Sequence, residues 1–331
     1  MPFPLPRKHA TLRFQRRVRL SDPEDPGADI AIKGHDMSDP LTYHRRFRPA
    51  ELDAHYNLRA RRPDFEPEIL PAWTRASAAA RAALDHQVDI RYGDGDRQAL
   101  DVFHSGAQGA PVLVYLHGGY WQGGDKALYS FIAPPFVAAG IDVAIVGYDL
   151  CPTVTITQIT EEIRQALAYL WRNAARLGLD RDRIALMGHS AGGHLTQMML
   201  ATDWPAYAPD LPADLVKAAV PLSPVSYLEP IRLTEALNAA LRLTPEEAEA
   251  QSPMTRHPPL TTAPQLLAVG GAETDEFHRQ ARMYLEAYGT PARAMELTTV
   301  PGVDHFDLLN VLTDPASPFF ARVSAFVHAA G

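Results

Sequence analysis

Short, unbroken apolar runs alternate with segments of helical period along most of this chain. Residues 112–116 (VLVYL), 143–146 (VAIV), 184–187 (IALM), 218–220 (AAV) and 266–269 (LLAV) contain no charged position, the pattern of strands buried on both faces. Residues 88–92 (VDIRY) and 99–103 (ALDVF) instead flank Gly93-Asp94-Gly95-Asp96 with a two-residue alternation, which predicts an antiparallel hairpin at a sheet edge. Residues 295–300 are strand-like as well. Between these runs, Ile159, Ile163, Leu167, Leu170, Trp171 and Ala174 recur at three- and four-residue steps, one apolar stripe on a long helix. Strand, helix, strand in repetition predicts an α/β fold with a mostly parallel central sheet flanked by helices and an antiparallel N-terminal edge. Residues of about 225–255 read as a small helical, lid-like insertion between two strands.

Composition narrows the class. With 46% hydrophobic and 21% charged residues, the 331-residue chain is neither disordered, collagen-like nor a coiled coil. No apolar run is long enough for a transmembrane helix, so no membrane is expected as a partner. The net charge of -8, from 39 acidic and 31 basic residues, repels phosphate backbones and argues against nucleic acid. Cys151 is the only cysteine, which excludes an intrachain disulfide and any cysteine-based zinc or iron-sulfur site and fits a cytoplasmic setting. The start of the chain differs from the rest. Arg7, Lys8, Arg13, Arg16, Arg17 and Arg19 stand there without an acidic partner or the apolar stretch of a secretory signal. Residues 1–45 therefore read as a disordered basic arm with Met37 as a functional start, and residues 46–331 as one domain.

Candidate chemistry sits where strands end, because ligands in open α/β sheets bind beyond the carboxyl ends of strands. Gly188-His189-Ser190-Ala191-Gly192 follows the run 184–187 and precedes a helical segment, a G-x-S-x-G elbow in which glycines permit a sharp turn that lifts a serine hydroxyl from the sheet. A serine hydroxyl is a weak nucleophile at neutral pH, so it needs a base and donors for an oxyanion. His117-Gly118-Gly119-Tyr120-Trp121 follows the run 112–116, where backbone N–H groups can serve as those donors; Ala191 adds the N–H after the nucleophile, and His117 reads as a structural residue orienting the loop. The base should follow the serine. His305, between the strand-like 295–300 and a helix, fits better than His194, His257, His278 or His328, and His189 beside the nucleophile is not read as a base. Past 266–269, Glu273 and Asp275 are the candidate orienting carboxylates, with Glu273 first by its spacing from Gly270 and Glu276 assigned to the opening of the next helix.

Taken together, the chain resembles the kynurenine formamidase (arylformamidase) branch of the α/β hydrolases, which is related to the hormone-sensitive lipase-like esterases. The residues that carry the resemblance are His117-Gly118-Gly119-Tyr120-Trp121-Gln122, Tyr148-Asp149-Leu150-Cys151-Pro152, the elbow, Glu276-Phe277-His278-Arg279-Gln280, Val303-Asp304-His305-Phe306, and Tyr56-Asn57-Leu58-Arg59-Ala60-Arg61. The Tyr120-Trp121 continuation of the loop discriminates best, since ordinary esterases of this group carry a third glycine where Tyr120 stands. Glu273 stands where some members have Asp, and residues 1–45 have no counterpart. The resemblance implies an α/β-hydrolase fold and a serine enzyme that cleaves N-formylkynurenine to kynurenine and formate, the alternative being a carboxylesterase or amidase for other small aromatic substrates. It further implies Ser190, His305 and Glu273 as catalytic residues, N–H groups of Gly119, Tyr120 and Ala191 as the oxyanion hole, and Gly118, Tyr120, Trp121, His189 and Phe306 around the substrate. Neither metal nor organic cofactor is called for; the expected partner is a small aromatic molecule, and a homodimer is the assembly left open.

Because a breaker-rich basic terminus has little to bury, a chain beginning at Met37 should melt and turn over like the full chain. A clearly lower Tm or kcat/KM would show instead that the arm is docked.

Overall fold

Each of the apolar runs is the core of a strand, and the strands lie in one sheet. A computed structural model describes residues 40–330. The strands are β1 (His86–Arg91), β2 (Ala99–Phe103), β3 (Val112–Leu116), β4 (Asp142–Val146), β5 (Ile184–His189), β6 (Ala218–Leu222), β7 (Gln265–Gly270) and β8 (Met295–Val300). They lie in the order β1-β2-β4-β3-β5-β6-β7-β8. β1 pairs antiparallel with β2 and β2 with β4, while every later pairing is parallel. β2 to β7 are buried along their whole length, as strands covered by helices on both faces must be. This is the α/β-hydrolase fold.

The long helix runs Ile156–Leu177. Thr155 caps its start by accepting the Gln158 N–H while the Gln158 side chain returns to the Thr155 N–H, and Gly178 at φ 70° ends it in the left-handed conformation. Of the stripe residues, all but Trp171 are buried; Trp171 is half-buried under the Arg181 guanidinium, 4.4 Å from its ring centre.

Register places the loops. Leu116 lies opposite Gly188, His189 opposite Leu222, and Gly270 opposite Val300, so the chain leaves β3, β5, β7 and β8 on the same side of the sheet. The segments carrying 117–124, 190, 273 and 305 are thereby gathered along one crevice, as expected for a parallel sheet.

Residues 1–39, including Met37, lie outside the described residues. Pro40–Arg46 is a 3-10 turn, and His44 is buried with its ring 5.8 Å from Tyr227, so packed chain begins before the boundary at 46 read from the sequence. Between β6 and β7 four short helices span Glu229–Arg232, Glu235–Leu241, Pro245–Ala250 and Pro253–Arg256. No helix among the described residues is long and apolar enough to cross a membrane.

Two fully buried histidines tie stability to pH. His117 lies in parallel stacks with Tyr148 and Tyr129, 4.2 Å and 5.5 Å between ring centres, and donates from Nδ1 to the Gly118 carbonyl at 2.8 Å. His194 donates from Nε2 to the Gln251 carbonyl at 2.7 Å. Burial lowers both rings to about 4, so they stay neutral in the folded chain, whereas in the unfolded chain they protonate near pH ~6.5. The unfolded state thus binds more protons below that value, and stability falls with falling pH by up to about 1.4 kcal/mol per pH unit for each ring. Urea midpoints should drop progressively from pH 7 to pH 5, and His194→Gln should make the drop shallower. A pH-independent midpoint in that window would contradict the neutral assignment.

Candidate active site

Ser190 sits on the turn between β5 and the helix Ala191–Leu200, with φ 58° and ψ -116°. That backbone conformation is unfavourable for a residue with a Cβ and survives only where the surroundings hold it. Here they do. Ser190 N–H donates to the Leu222 carbonyl at 2.8 Å, and the Ser190 carbonyl accepts from His194 at 3.0 Å. A Cβ on Gly188 would lie 2.1 Å from the Gly192 carbonyl oxygen, and one on Gly192 would lie 2.0 Å from that of Leu116. The two glycines of the motif therefore let the elbow close and let its helix press against the end of β3.

His305 follows β8 and Glu273 follows β7, and their side chains meet. His305 Nδ1 and Glu273 Oε2 are 2.7 Å apart, both side chains almost wholly buried. The other carboxylate oxygen accepts the Gly270 N–H at 2.8 Å and the Ser223 hydroxyl. Three donors fix one carboxylate. With Nδ1 taken by Glu273, the ring presents Nε2 as its other nitrogen. Asp275, the second candidate acid, opens the helix Asp275–Tyr288 and is exposed; the structure does not bring it to His305.

The segment after β3 wraps under the elbow. Gly119 has φ +118°, and a Cβ there would fall 2.2 Å from the Gly123 carbonyl oxygen. Tyr120 and Trp121 also have positive φ, 50° and 55°. Tyr120 lines the crevice and donates its hydroxyl to the Tyr56 carbonyl at 2.8 Å. Ala191 is the first residue of the elbow helix, whose first N–H groups have no partner within the helix.

A cavity of about 400 Å³ joins Ser190 and His305 with Gly119, Tyr120, His189 and Phe306. Its walls are aromatic: Tyr56, Phe65, Trp73 and Tyr129 stand with Tyr120 and Phe306. His189 keeps its ring 4.3 Å from that of His305 and donates from Nε2 to the His305 carbonyl at 3.0 Å, so it braces the loop. Burial, and secondarily the neighbouring His305, pushes it well below the usual histidine range.

Two residues assigned to the substrate by sequence lie elsewhere. Trp121 is fully buried, with its ring edge-on to His194 at 5.0 Å: consecutive left-handed residues turn it away from the cavity that Tyr120 faces. Gly118 packs beneath the elbow, where a Cβ would lie 2.9 Å from the His189 carbonyl oxygen, and does not line the cavity. The insertion after β6 contributes Leu237 to the cavity; Tyr227, which sequence placed in the lid, packs with Met254 and Tyr284 instead.

Most of the wall comes from residues that pattern reasoning did not assign to the site, chiefly Tyr56, Asn57, Arg59 and Phe65. The signal was the Tyr56-Asn57-Leu58-Arg59 string, far from the sheet in sequence. Arg62 ties this segment to the histidine loop through Asp304 at 2.6 Å and Asp307 at 2.9 Å. Tyr56 ties it to the helix after Glu273, donating to Glu276 at 2.5 Å, and Glu276 is in turn paired with Arg279 at 2.6 Å. Burial would raise the Glu276 carboxyl, but Arg279 and Tyr56 hold it below its ordinary value.

The chain is similar to known proteins over most of its length. A family model described as BD-FAE matches residues 100–205. The kynurenine formamidase of Salmo salar is 30% identical over 277 residues, 82% of this chain and 90% of that protein. The kynurenine formamidase of Drosophila melanogaster is 31% identical over 234 residues, 68% of this chain and 75% of that protein. Among solved structures, a candidate thioesterase from Silicibacter sp. TM1040 superimposes with a TM-score of 0.66 at 33% identity, covering 78% of this chain and 92% of that one. With a conserved-length relative at that identity and an esterase-type fold around the elbow, the chain is a hydrolase that belongs to the kynurenine formamidase family.

Proposed function

We propose that the protein hydrolyses N-formylkynurenine and related small aryl formamides by acyl transfer through Ser190, His305 and Glu273. The observation that carries this reading is the buried His305–Glu273 hydrogen bond of 2.7 Å beside a strained serine in the same aromatic cavity. The relatives named kynurenine formamidase support the substrate.

In the first half-reaction His305 Nε2 takes the Ser190 proton as Oγ bonds to the formyl carbon, and the carbonyl electrons move onto its oxygen. N–H groups of Gly119, Tyr120 and Ala191 receive that oxyanion, each such donor being worth on the order of 3 kcal/mol in related sites. The intermediate collapses, the C–N bond breaks, and the aryl amine leaves with the proton from His305. Water then attacks the formyl ester, giving its proton to His305; formate departs and Ser190 recovers its hydrogen. Glu273 keeps the proton on Nδ1 and stabilises the imidazolium formed in each half. Tyr120, in place of a third glycine, narrows the space beside the carbonyl and favours a formyl or acetyl group over long chains.

The thioesterase-like neighbour favours a second reading, an aryl carboxylesterase or amidase with the same machinery. A panel of substrates separates the two. N-formylkynurenine should be cut efficiently, short p-nitrophenyl esters as a side activity, and esters beyond about eight carbons poorly. A kcat/KM for N-formylkynurenine about a hundredfold or more below that of p-nitrophenyl acetate would move the assignment to the esterase reading.

A serine-directed phosphonate should add once, at Ser190, and Ser190→Ala should lose at least ~10³-fold in kcat; labelling of another serine would remove the nucleophile from Ser190. Glu273→Gln should lose about 10³- to 10⁴-fold in kcat with the fold intact, while Asp275→Asn stays within about threefold. The reverse order would make Asp275 the acid.

A further inference from the structure

Among the described residues that line the cavity, Arg59 is the only Lys, Arg, Asp or Glu. It stands at the mouth, its side chain 61% exposed. The guanidinium carbon lies 5.0 Å from the Phe65 ring centre, and a Cβ on Gly123, in the loop after β3, would lie 3.9 Å from Nη2. Its charge is felt inside: burial pushes the Tyr129 phenol in the wall up to about 12 against the opposing pull of Arg59. Its ionic partner is Glu66 at 3.3 Å, also 61% exposed, and pairs so exposed hold weakly.

The geometry points to Arg59 as a carboxylate-binding residue, so that the cavity selects aromatic amides or esters whose leaving side carries an anionic carboxylate. This rests on reading the cavity as the site of acyl transfer. Resting on the Phe65 face positions the planar guanidinium without consuming its N–H donors, which match a carboxylate in pairs. Exchanging Glu66 for a substrate carboxylate swaps one ion pair for another, and burial of the substrate ring among Tyr56, Trp73 and Tyr120 tips the exchange toward the substrate. No other lining side chain is a Lys or Arg, so within the cavity wall a carboxylate finds its guanidinium partner only in Arg59.

The test uses two probes of one shape, 3-benzoylpropionate and its neutral primary amide, titrated calorimetrically into the full chain, Arg59→Gln and Glu66→Gln. The carboxylate should bind the unsubstituted chain about tenfold more tightly than the amide. Arg59→Gln should collapse that ratio to about one, and Glu66→Gln should keep or widen it. In turnover, Arg59→Gln should lower the ratio of kcat/KM for N-formylkynurenine to that for formanilide by about tenfold, chiefly through KM. Equal binding of the two probes, no binding of the carboxylate, or a preference that survives Arg59→Gln overturns the assignment. The two failures are distinct. A chain that keeps the probe preference but does not cleave N-formylkynurenine loses the formamidase reading alone; one that cleaves it with the ratio unmoved by Arg59→Gln loses the carboxylate site alone.

Discussion

The contact on which the rest of this molecule depends is the approach of Gly192 to the Leu116 carbonyl, so close that a single added carbon would stand 2.0 Å from its oxygen. It presses the N-terminus of the elbow helix onto the end of β3. Ser190 is thereby held in a left-handed conformation that costs on the order of 1 to 3 kcal/mol and would otherwise relax. The same contact brings the segment carrying Gly119 and Tyr120 alongside the unpaired N–H groups of the elbow helix. The strained serine and these N–H groups are set by one piece of backbone packing rather than by two separate devices.

The other half of the site is fixed by a segment that belongs to no strand. Residues 55–62 reach three loops at once: Tyr56 accepts from the Tyr120 hydroxyl at 2.8 Å, His55 accepts from Thr274 at 3.0 Å, and Arg62 holds Asp304 and Asp307. The Tyr56 hydroxyl meanwhile joins Glu276 and Gln280, the latter at 2.8 Å. Buried polar networks of this kind are costly if half satisfied and rigidifying if complete. This one couples the segment after β3, the Glu273 loop and the His305 loop to a single element, and that element also supplies Arg59 to the cavity mouth.

These two halves were unequally legible in the sequence. Buried parallel strands announce themselves as short apolar runs, and the observed ladders extend them by polar residues such as Asp142, which is buried because it accepts from Ser105 N–H at 2.7 Å and from its hydroxyl. The elbow was legible because strand, glycines and serine must be contiguous. Residues 55–62 meet the site through contacts 64 to more than 200 positions away, which no local period encodes; only their resemblance to a family string marked them. Trp121 misled for a different reason. A side chain next to one that faces a ligand is expected nearby, but two successive positive φ values reverse its direction, and an aromatic residue gives no warning that it will adopt them.

For the proposed acyl transfer, two histidine rings 4.3 Å apart need a rule for which one takes the proton. Glu273 provides half of it, bound at His305 and absent from His189. Burial provides the other half, because His189, spending its Nε2 proton on the His305 carbonyl and having no carboxylate, is held neutral. A charged His189 would repel the imidazolium that the proposed acyl transfer forms on its neighbour. The elbow therefore does more than raise a serine: the residue just before that serine braces the His305 loop while carrying no charge, and it is the desolvation of the crevice that makes both roles compatible.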